Sequence, residues 1–376
     1  MKKLNILAAL LMYSAPAAFA GEINFPKYFF SEGTKECKID YLRSEIILDD
    51  DATSYIKKVA GYDWEEDHNK RSNSLTVMHE KISDPIMYLN SGTFNAVQDN
   101  DKESIKNAVS LLVEIAVKKS LMNTSTPEQS TGRCYGKGSN SICPIHAPQE
   151  VMIFATHYII TAINLKPYLN VEEKVIVDTY IDNIYTKYVK YFAEQEIKRG
   201  MYQMANGGIS RLAYAHYTGN KELAEIEFKK RFTQFKKIIL KDGYLNNNSF
   251  RGVRALWYHS LGSNNILGYI ALAKAFKVEI PTDVFTLAKK TAEVTNLGID
   301  NYKKFKSRSA GFSIYTGNSS NDQRVARKHT HQLAMNYSNL TFKVVGIKMS
   351  DDFRWKRMSG KYHMDRQLGF VPKCLD

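Results

Sequence analysis

The stretch SIKNAVSLLVEIAVKKSLM, residues 104–122, decides the fold class. Ile105, Val109, Leu112, Ala116 and Lys119 recur at steps of three and four, which lays an apolar stripe along one face of a helix. Working outward, similar spacing runs through Gln149 to Leu165, Val171 to Glu196, Lys221 to Leu240, Ser263 to Phe276, Thr282 to Leu297 and His331 to Val345. Asn170 is placed to cap the second of these, and Pro281 followed by Thr282 and Asp283 marks another helix start. Asp49, Asp50 and Asp51 read as a turn or a helix start. Loops fall at 123–143, 244–249 and 316–323, where Ser, Thr, Gly and Asn gather, and none is long enough to divide the chain. Strand alternation between hairpin turns is scarce. The pattern therefore predicts an all-α protein of successive antiparallel hairpins, whose irregular spacing matches no solenoid repeat.

The front of the chain addresses the compartment. Lys2 and Lys3 precede the apolar run Leu4 to Met12, and Ala18-Phe19-Ala20 is a small-x-small cleavage site, so residues 1–20 read as a secretory leader and 21–376 as the mature domain. The apolar run is too short to span a bilayer. A soluble exported protein is expected, periplasmic or secreted. Four cysteines in an oxidising compartment favour disulfides over metal binding. Cys134 and Cys143 close a short polar loop and form the preferred pair, which leaves Cys37 with Cys374, although four thiols permit three connectivities. No Cys-x-x-Cys or His-Glu-x-x-His spacing occurs, so neither a metal nor a cofactor is expected.

The chain carries 52 Lys and Arg against 39 Asp and Glu, a balance that favours an anionic partner. Export argues against nucleic acid and leaves an anionic membrane surface or a polyuronate. The chemistry concentrates in Arg251-Gly252-Val253-Arg254-Ala255-Leu256-Trp257-Tyr258-His259. On a helix, Arg251, Arg254 and Tyr258 would share one face. A positive charge beside a phenol favours phenolate, the form that acts as a base. His259 follows the phenol, but adjacent helical positions point about 100° apart, which suits a packing or hydrogen-bonding histidine.

These residues resemble the catalytic segment of the alginate lyases of polysaccharide lyase family 5. That family carries an Asp-Gly-Phe-Leu turn, then Arg-x-x-Arg-Ala-Leu-x-Tyr-His-Asn, then an apolar helix. Here the turn is Asp242-Gly243-Tyr244-Leu245, Ser260 stands at the Asn position, and the apolar run is Ile266 to Phe276. Thr218-Gly219-Asn220 and the Lys/Glu-rich segment after it sit where the family has a similar turn and helix, so the resemblance spans residues 198 to 276. It implies closure of the hairpins into an incomplete (α/α) toroid with a groove at one end, and β-elimination on an anionic polysaccharide by a monomer. By this resemblance Tyr258 is the acid, and also the base when proton and leaving group share a face, while Arg251 stabilises negative charge beside it. Arg254, His259 and Arg366, the last within Asp365-Arg366-Gln367-Leu368-Gly369, fall at positions suited to substrate contact. Trp64, Lys70 and Arg71 fall where the family carries a lid. His329 and His331 lie in a basic loop that could form a polyanion subsite.

One departure matters. Where the family has Asn-Asn-His, this chain has Met201-Tyr202-Gln203. Gln203 cannot be a general base near neutral pH, though its amide can donate to a carboxylate. Asn206 is the other candidate for neutralising that carboxylate. Either Tyr258 carries all proton traffic, or a histidine such as His146, His157 or His216 replaces the missing base, or activity is lost. Alternatives to a lyase are a uronate 5-epimerase, which needs proton-transfer groups on two faces, and a non-catalytic periplasmic polysaccharide-binding protein. A hydrolase with paired carboxylates has less support.

Overall fold

The computed structural model describes residues 22–33, 37, 50–60, 79–126, 146–199, 207–309, 336–349 and 364–375. Its helices are α1 (Asp50–Ala60), α2 (Asp84–Asp99), α3 (Lys102–Val117), α4 (His146–Leu165), α5 (Val171–Ile184), α6 (Lys190–Arg199), α7 (Gly207–Thr218), α8 (Lys221–Ile238), α9 (Ala255–Ala275), α10 (Thr282–Asp300), α11 (Tyr302–Ser309) and α12 (residues 336–345). A π turn, Tyr185–Val189, joins α5 to α6 without breaking the run. Among the described residues there is no strand, only the isolated bridges Tyr28 with Ser31 and Ile239 with Leu245. The all-α expectation holds.

Capping residues set the helix starts. The Asp101 carboxylate accepts from the backbone N–H groups of Glu103 and Ser104 at the start of α3. Asn170 caps α5, as the sequence anticipated, and Glu173 completes a reciprocal capping box with it, while Asn220 accepts from Leu223 N to start α8. Packing then sorts the helices into two layers. In the inner layer α2 packs on α4 and α4 on α7, with α9 beyond. The outer layer is α3, α5 with α6, α8 and α10, each antiparallel to an inner neighbour. The layout is an incomplete (α/α) toroid. Inner helices are apolar nearly all round, as the continuous burial of Val151 to Ile160 and of Ile266 to Ala273 shows, whereas outer helices keep one solvated face.

The inner helices run parallel. Thr156 on α4 meets Ser210 on α7 at 2.6 Å, and farther along Lys166 Nζ donates to Tyr217 O. Gly208 near the start of α7 lies against Tyr269, while His216 near its end lies against Phe276. Their N-termini therefore point toward one end of the toroid.

A buried ionic cluster ties α6, α7 and α8 together. Arg231 is fully buried, with Nε 2.5 Å from Glu227 Oε1, Nη2 2.9 Å from Glu196 Oε2 and Nη1 donating to Gln234. Arg211 Nη1 bridges Glu227 at 3.0 Å and Glu194 at 2.9 Å. Glu196 also accepts from Gly208 N at the start of α7. The Arg231 guanidinium lies 5.2 Å from the Tyr269 ring centroid, which brings in α9. A Cβ on Gly208 would come within 1.9 Å of the Tyr269 oxygen and 2.2 Å of Glu227 Oε1, so only glycine admits the cluster here.

The C-terminal segment seals the inner layer. Leu368 fills the space over Gly268, and Gly369, with φ +74°, lies against Ile160 and Thr156. Asn90 Nδ2 donates to Gly369 O and to His157 Nδ1, which leaves His157 Nε2 to donate to Arg366 O. Asp365 is buried and accepts from the Gln367 and Leu368 N–H groups and from Asn264. Burial raises its carboxyl above the ordinary range despite those donors. Cys37 and Cys374 are joined in a disulfide with a Cα separation of 5.5 Å, so the two ends are stapled as expected. Cys134 and Cys143, and the leader, lie outside the described residues.

Helix α2 was absent from the sequence expectation, because its inward face carries Asn90, Ser91 and Thr93, which interrupt the apolar stripe although all three are buried. Helix α9 begins at Ala255, well before the expected Ser263. Replacing Arg231 with Met is expected to cost about 3–5 kcal/mol in urea unfolding, since it strands two buried carboxylates. Breaking the exposed Lys221–Glu22 pair by Lys221→Ala should leave the urea midpoint nearly unchanged, because solvent screens the pair. Cys374→Ser is expected to lower stability by about 2–5 kcal/mol, read in the same assay.

Candidate functional site

The site expected around Tyr258 is built by a turn and not by one continuous helix. Residues 248–250 and 252–254 form two short 3-10 turns with Arg251 between them in a non-helical conformation, φ −114° and ψ 35°. Gly252 has φ +56°, a left-handed conformation that glycine adopts without steric cost, and it stops α9 from extending upstream. The expectation that Arg251, Arg254 and Tyr258 share a helical face is corrected accordingly. Arg251 nevertheless reaches the phenol, with its guanidinium carbon 5.0 Å from the Tyr258 ring centroid. Arg254, at the N-cap of α9, places Nη1 3.4 Å from the Tyr258 hydroxyl. Trp257 stacks on the Tyr258 ring at 4.7 Å. Tyr258 is 3% exposed, and the two arginines are half-buried beside it.

The loop before this turn is held from both sides. Asn248 Nδ2 donates to Tyr258 O at 2.9 Å, and Ser249 Oγ accepts from Leu245 N. Ser249 Oγ also lies 2.8 Å from His259 Nδ1, and His259 Nε2 donates to Thr291 O at 2.9 Å on α10. With Nε2 carrying the proton, Nδ1 accepts from the serine. His259 is fully buried and both ring nitrogens are engaged, which withdraws it from substrate contact and makes it a structural link between α9, α10 and the 245–249 loop. Its burial lowers its pKa to about 4, despite the hydrogen bond to Thr291.

Arg366 lies toward the same end of the toroid. Its neighbour Asp365 is held by Asn264, which lies six residues and about 9 Å of helical rise beyond Tyr258 on α9. The Arg366 guanidinium is already engaged: Nη2 is 2.6 Å from Glu150 Oε2 and bonds Ser83 Oγ, and Nη1 is 3.6 Å from Asp84. Glu150, which partners this arginine, is almost fully buried. No sequence signal pointed to Glu150 or Asp84, since both lie far from Arg366 in the chain.

The histidines proposed to replace the missing base are placed elsewhere. His157 is buried in the Asn90 network and burial lowers its pKa to about 3. His216 donates to Pro26 O and packs on Phe276, about 27 Å of helical rise from Tyr258, and burial lowers its pKa to about 4. Neither approaches the phenol. The His146 side chain, Gln203, Asn206, His329, His331, Trp64, Lys70 and Arg71 lie outside the described residues. Among the described residues no cluster of His, Cys, Asp or Glu side chains is arranged to hold a metal ion, and no helix is long and apolar enough to cross a membrane.

Three buried histidines held neutral below their ordinary pKa make the fold acid-sensitive. Between pH 6.5 and about 4 the unfolded chain binds protons that the native chain does not, so stability is fully present above pH 6.5 and declines as pH falls. The urea midpoint is expected to drop steadily from pH 7 to pH 5, and His259→Gln should flatten that slope while lowering stability at pH 7.

No family model matches the chain, and no curated protein matches it. Among solved structures, a variant of alginate lyase A1-III complexed with a tetrasaccharide is similar at 13% identity, over 94% of this chain and 82% of that chain, with a TM-score of 0.38.

Proposed function

We propose that the protein is an exported polysaccharide lyase that cleaves a uronic-acid polymer, alginate- or polymannuronate-like, by β-elimination. The observation that carries this reading is the placement of two guanidiniums on one phenol, Arg251 at 5.0 Å from the Tyr258 ring centroid and Arg254 at 3.4 Å from its hydroxyl. A phenol held in that way has little use in mere binding. It suits a reaction that first withdraws and then returns a proton next to a carboxylate.

In the elimination, the Tyr258 oxygen as phenolate takes the proton from carbon 5 of the uronate. The electron pair of that C–H bond becomes the new double bond between carbons 4 and 5. The bond from carbon 4 to the glycosidic oxygen breaks, and the departing oxygen takes the proton back from Tyr258. No water is consumed and the tyrosine is regenerated. Negative charge grows on the uronate carboxylate as carbon 5 loses its proton, and Arg251 over the phenol ring, with Arg254 at its hydroxyl, would stabilise that charge. Arg366 offers a further carboxylate contact from the C-terminal segment, with Asn206 and Gln203 as the residues carried by sequence for neutralising the reacting carboxylate. The withdrawal of His157, His216 and His259 favours Tyr258 as both base and acid. It also supports the second reading, a non-catalytic polysaccharide-binding protein. The leader-like residues 1–20 and the Cys37–Cys374 disulfide support a periplasmic or secreted location for a single mature domain, acting as a monomer.

The test is ultraviolet absorbance of a 4,5-unsaturated uronate after mixing the mature protein with polymannuronate, polyguluronate and a glucuronate polymer. The expected outcome is a rise with one polymer that falls by about 10²–10⁴-fold in Tyr258→Phe, a variant that keeps the ring and removes only the hydroxyl. Arg251→Ala is expected to lower kcat more than it raises KM, as a group acting mainly in the transition state should. No rise on any of the three polymers, with salt-sensitive binding retained, would replace the lyase by the binding protein.

A further inference from the structure

Helix α11, with the sequence YKKFKSRS, concentrates charge in a way that its structural role does not require. Tyr302 and Phe305 are buried, and Phe305 stacks on Tyr244 at 5.4 Å and meets the His259 ring edge at 6.0 Å. Tyr244 donates its hydroxyl to Phe305 O. These contacts anchor the helix to the 242–250 loop, one residue before Arg251 and against the neighbour of Tyr258. The other face carries Lys303, Lys304, Lys306 and Arg308 within six residues, of which Lys303, Lys304 and Arg308 are exposed. Among the described residues, Asp300 lies just before the helix and Asp242 pairs with Arg308 at 2.8 Å. Arg308 also lies 5.6 Å from the Tyr244 ring and 5.5 Å from the Phe250 ring, so it joins the basic face to an aromatic wall continuous with the Arg251 turn.

Arg308 helps fasten the helix through Asp242, Tyr244 and Phe250, whereas Lys303 and Lys304 are exposed and add self-repulsion without joining those contacts. The basic face does create a positive potential beside the phenol, which would attract and align a long polyanion. We propose that the exposed face of α11 is an outlying binding surface for the same anionic polysaccharide, engaging sugar units beyond those at Tyr258 through Lys303 and Lys304. This inference rests on the reading of the Tyr258 site as one that handles a uronate polymer. It predicts a dependence on chain length, because a short oligosaccharide that fills only the Tyr258 site does not reach α11.

The test compares three full-length mature proteins, each carrying Tyr258→Phe so that the polymer is not cleaved: the otherwise unchanged chain, Lys303→Glu/Lys304→Glu and Lys102→Glu/Lys106→Glu. The last makes the same charge change on the exposed face of α3. Binding of labelled long polymannuronate and of its trisaccharide is measured by fluorescence anisotropy across a salt series, with circular dichroism confirming that each variant is folded. The α11 variant is expected to weaken binding of the long polymer by about tenfold at low salt and to flatten its salt dependence, with a far smaller change for the trisaccharide. Equal weakening in the α3 variant would mean that net charge alone acts, and would overturn the proposal. So would unchanged binding of the long polymer. Because binding is read without turnover, failure of elimination in the wild type would sink the lyase reading and leave this result interpretable.

Discussion

Arg231 is the constraint on which the inner architecture rests. A guanidinium with no solvent contact is tolerable only when carboxylates and carbonyls surround it. Glu227, Glu196, Gln234 and the Ala193 carbonyl do so from α6 and α8. Burial disfavours the charged guanidinium, and the neighbouring Glu227 together with Tyr269 and Glu196 more than offsets that, so the arginine stays charged. Each of those partners must hold its position for the others to be satisfied, which makes the cluster a geometric lock more than a large net source of stability. The lock extends into α7 through Gly208 N and Arg211, and to α9 through the Tyr269 ring. Inner and outer layers are thus registered against each other at the level where α7 begins.

The second lock is the C-terminal segment. Residues 364–371 supply Leu368 and Gly369 to the gap between α4 and α9, and polar groups to Asn90, His157 and Asn264 on three inner helices. The inner face of the toroid is therefore a mixed surface in which Asn90, His157 and Asn264 find counterparts on a distant segment. The Cys37–Cys374 disulfide fastens this segment to the N-terminal arm, where Phe30 stacks on Phe370. The chemical consequence is the placement of Arg366 toward the end of the toroid where α9 begins, held by Glu150 and Asp84.

At that end the local backbone determines what the charges can do. Gly252 interrupts the approach to α9, so Arg251 folds back over the phenol instead of projecting beside it on a helix. The 242–250 loop cannot drift, because Asn248 holds the Tyr258 carbonyl, Ser249 holds His259, and Tyr244 is sandwiched between Phe250 and Phe305. A rigid loop presenting two guanidiniums to one phenol, with a basic helix on its flank, is a coherent electrostatic unit. The conformational freedom that those side chains lose in it was spent during folding and not on meeting a substrate.

The sequence by itself determined the helical class, because three-to-four periodicity in segments such as 104–122 is a local property, and it determined several helix starts, because caps such as Asn170 act on their own next turn. It also singled out Tyr258 with Arg251 and Arg254, since all three lie within eight residues. It did not reveal α2, whose Asn90, Ser91 and Thr93 look like surface although all three are buried. Helical spacing already suggested a packing role for His259, whereas tertiary structure alone decided that His157 is structural, because its ring nitrogens go to Asn90 and Arg366, far away in the chain. The same is true of the engagement of Arg366 by Glu150 and of the approach of α11 to the Tyr258 loop. Periodicity and capping depend on near neighbours and can be read from one strand of text, whereas the availability of a charged or polar side chain depends on which distant groups reach it first.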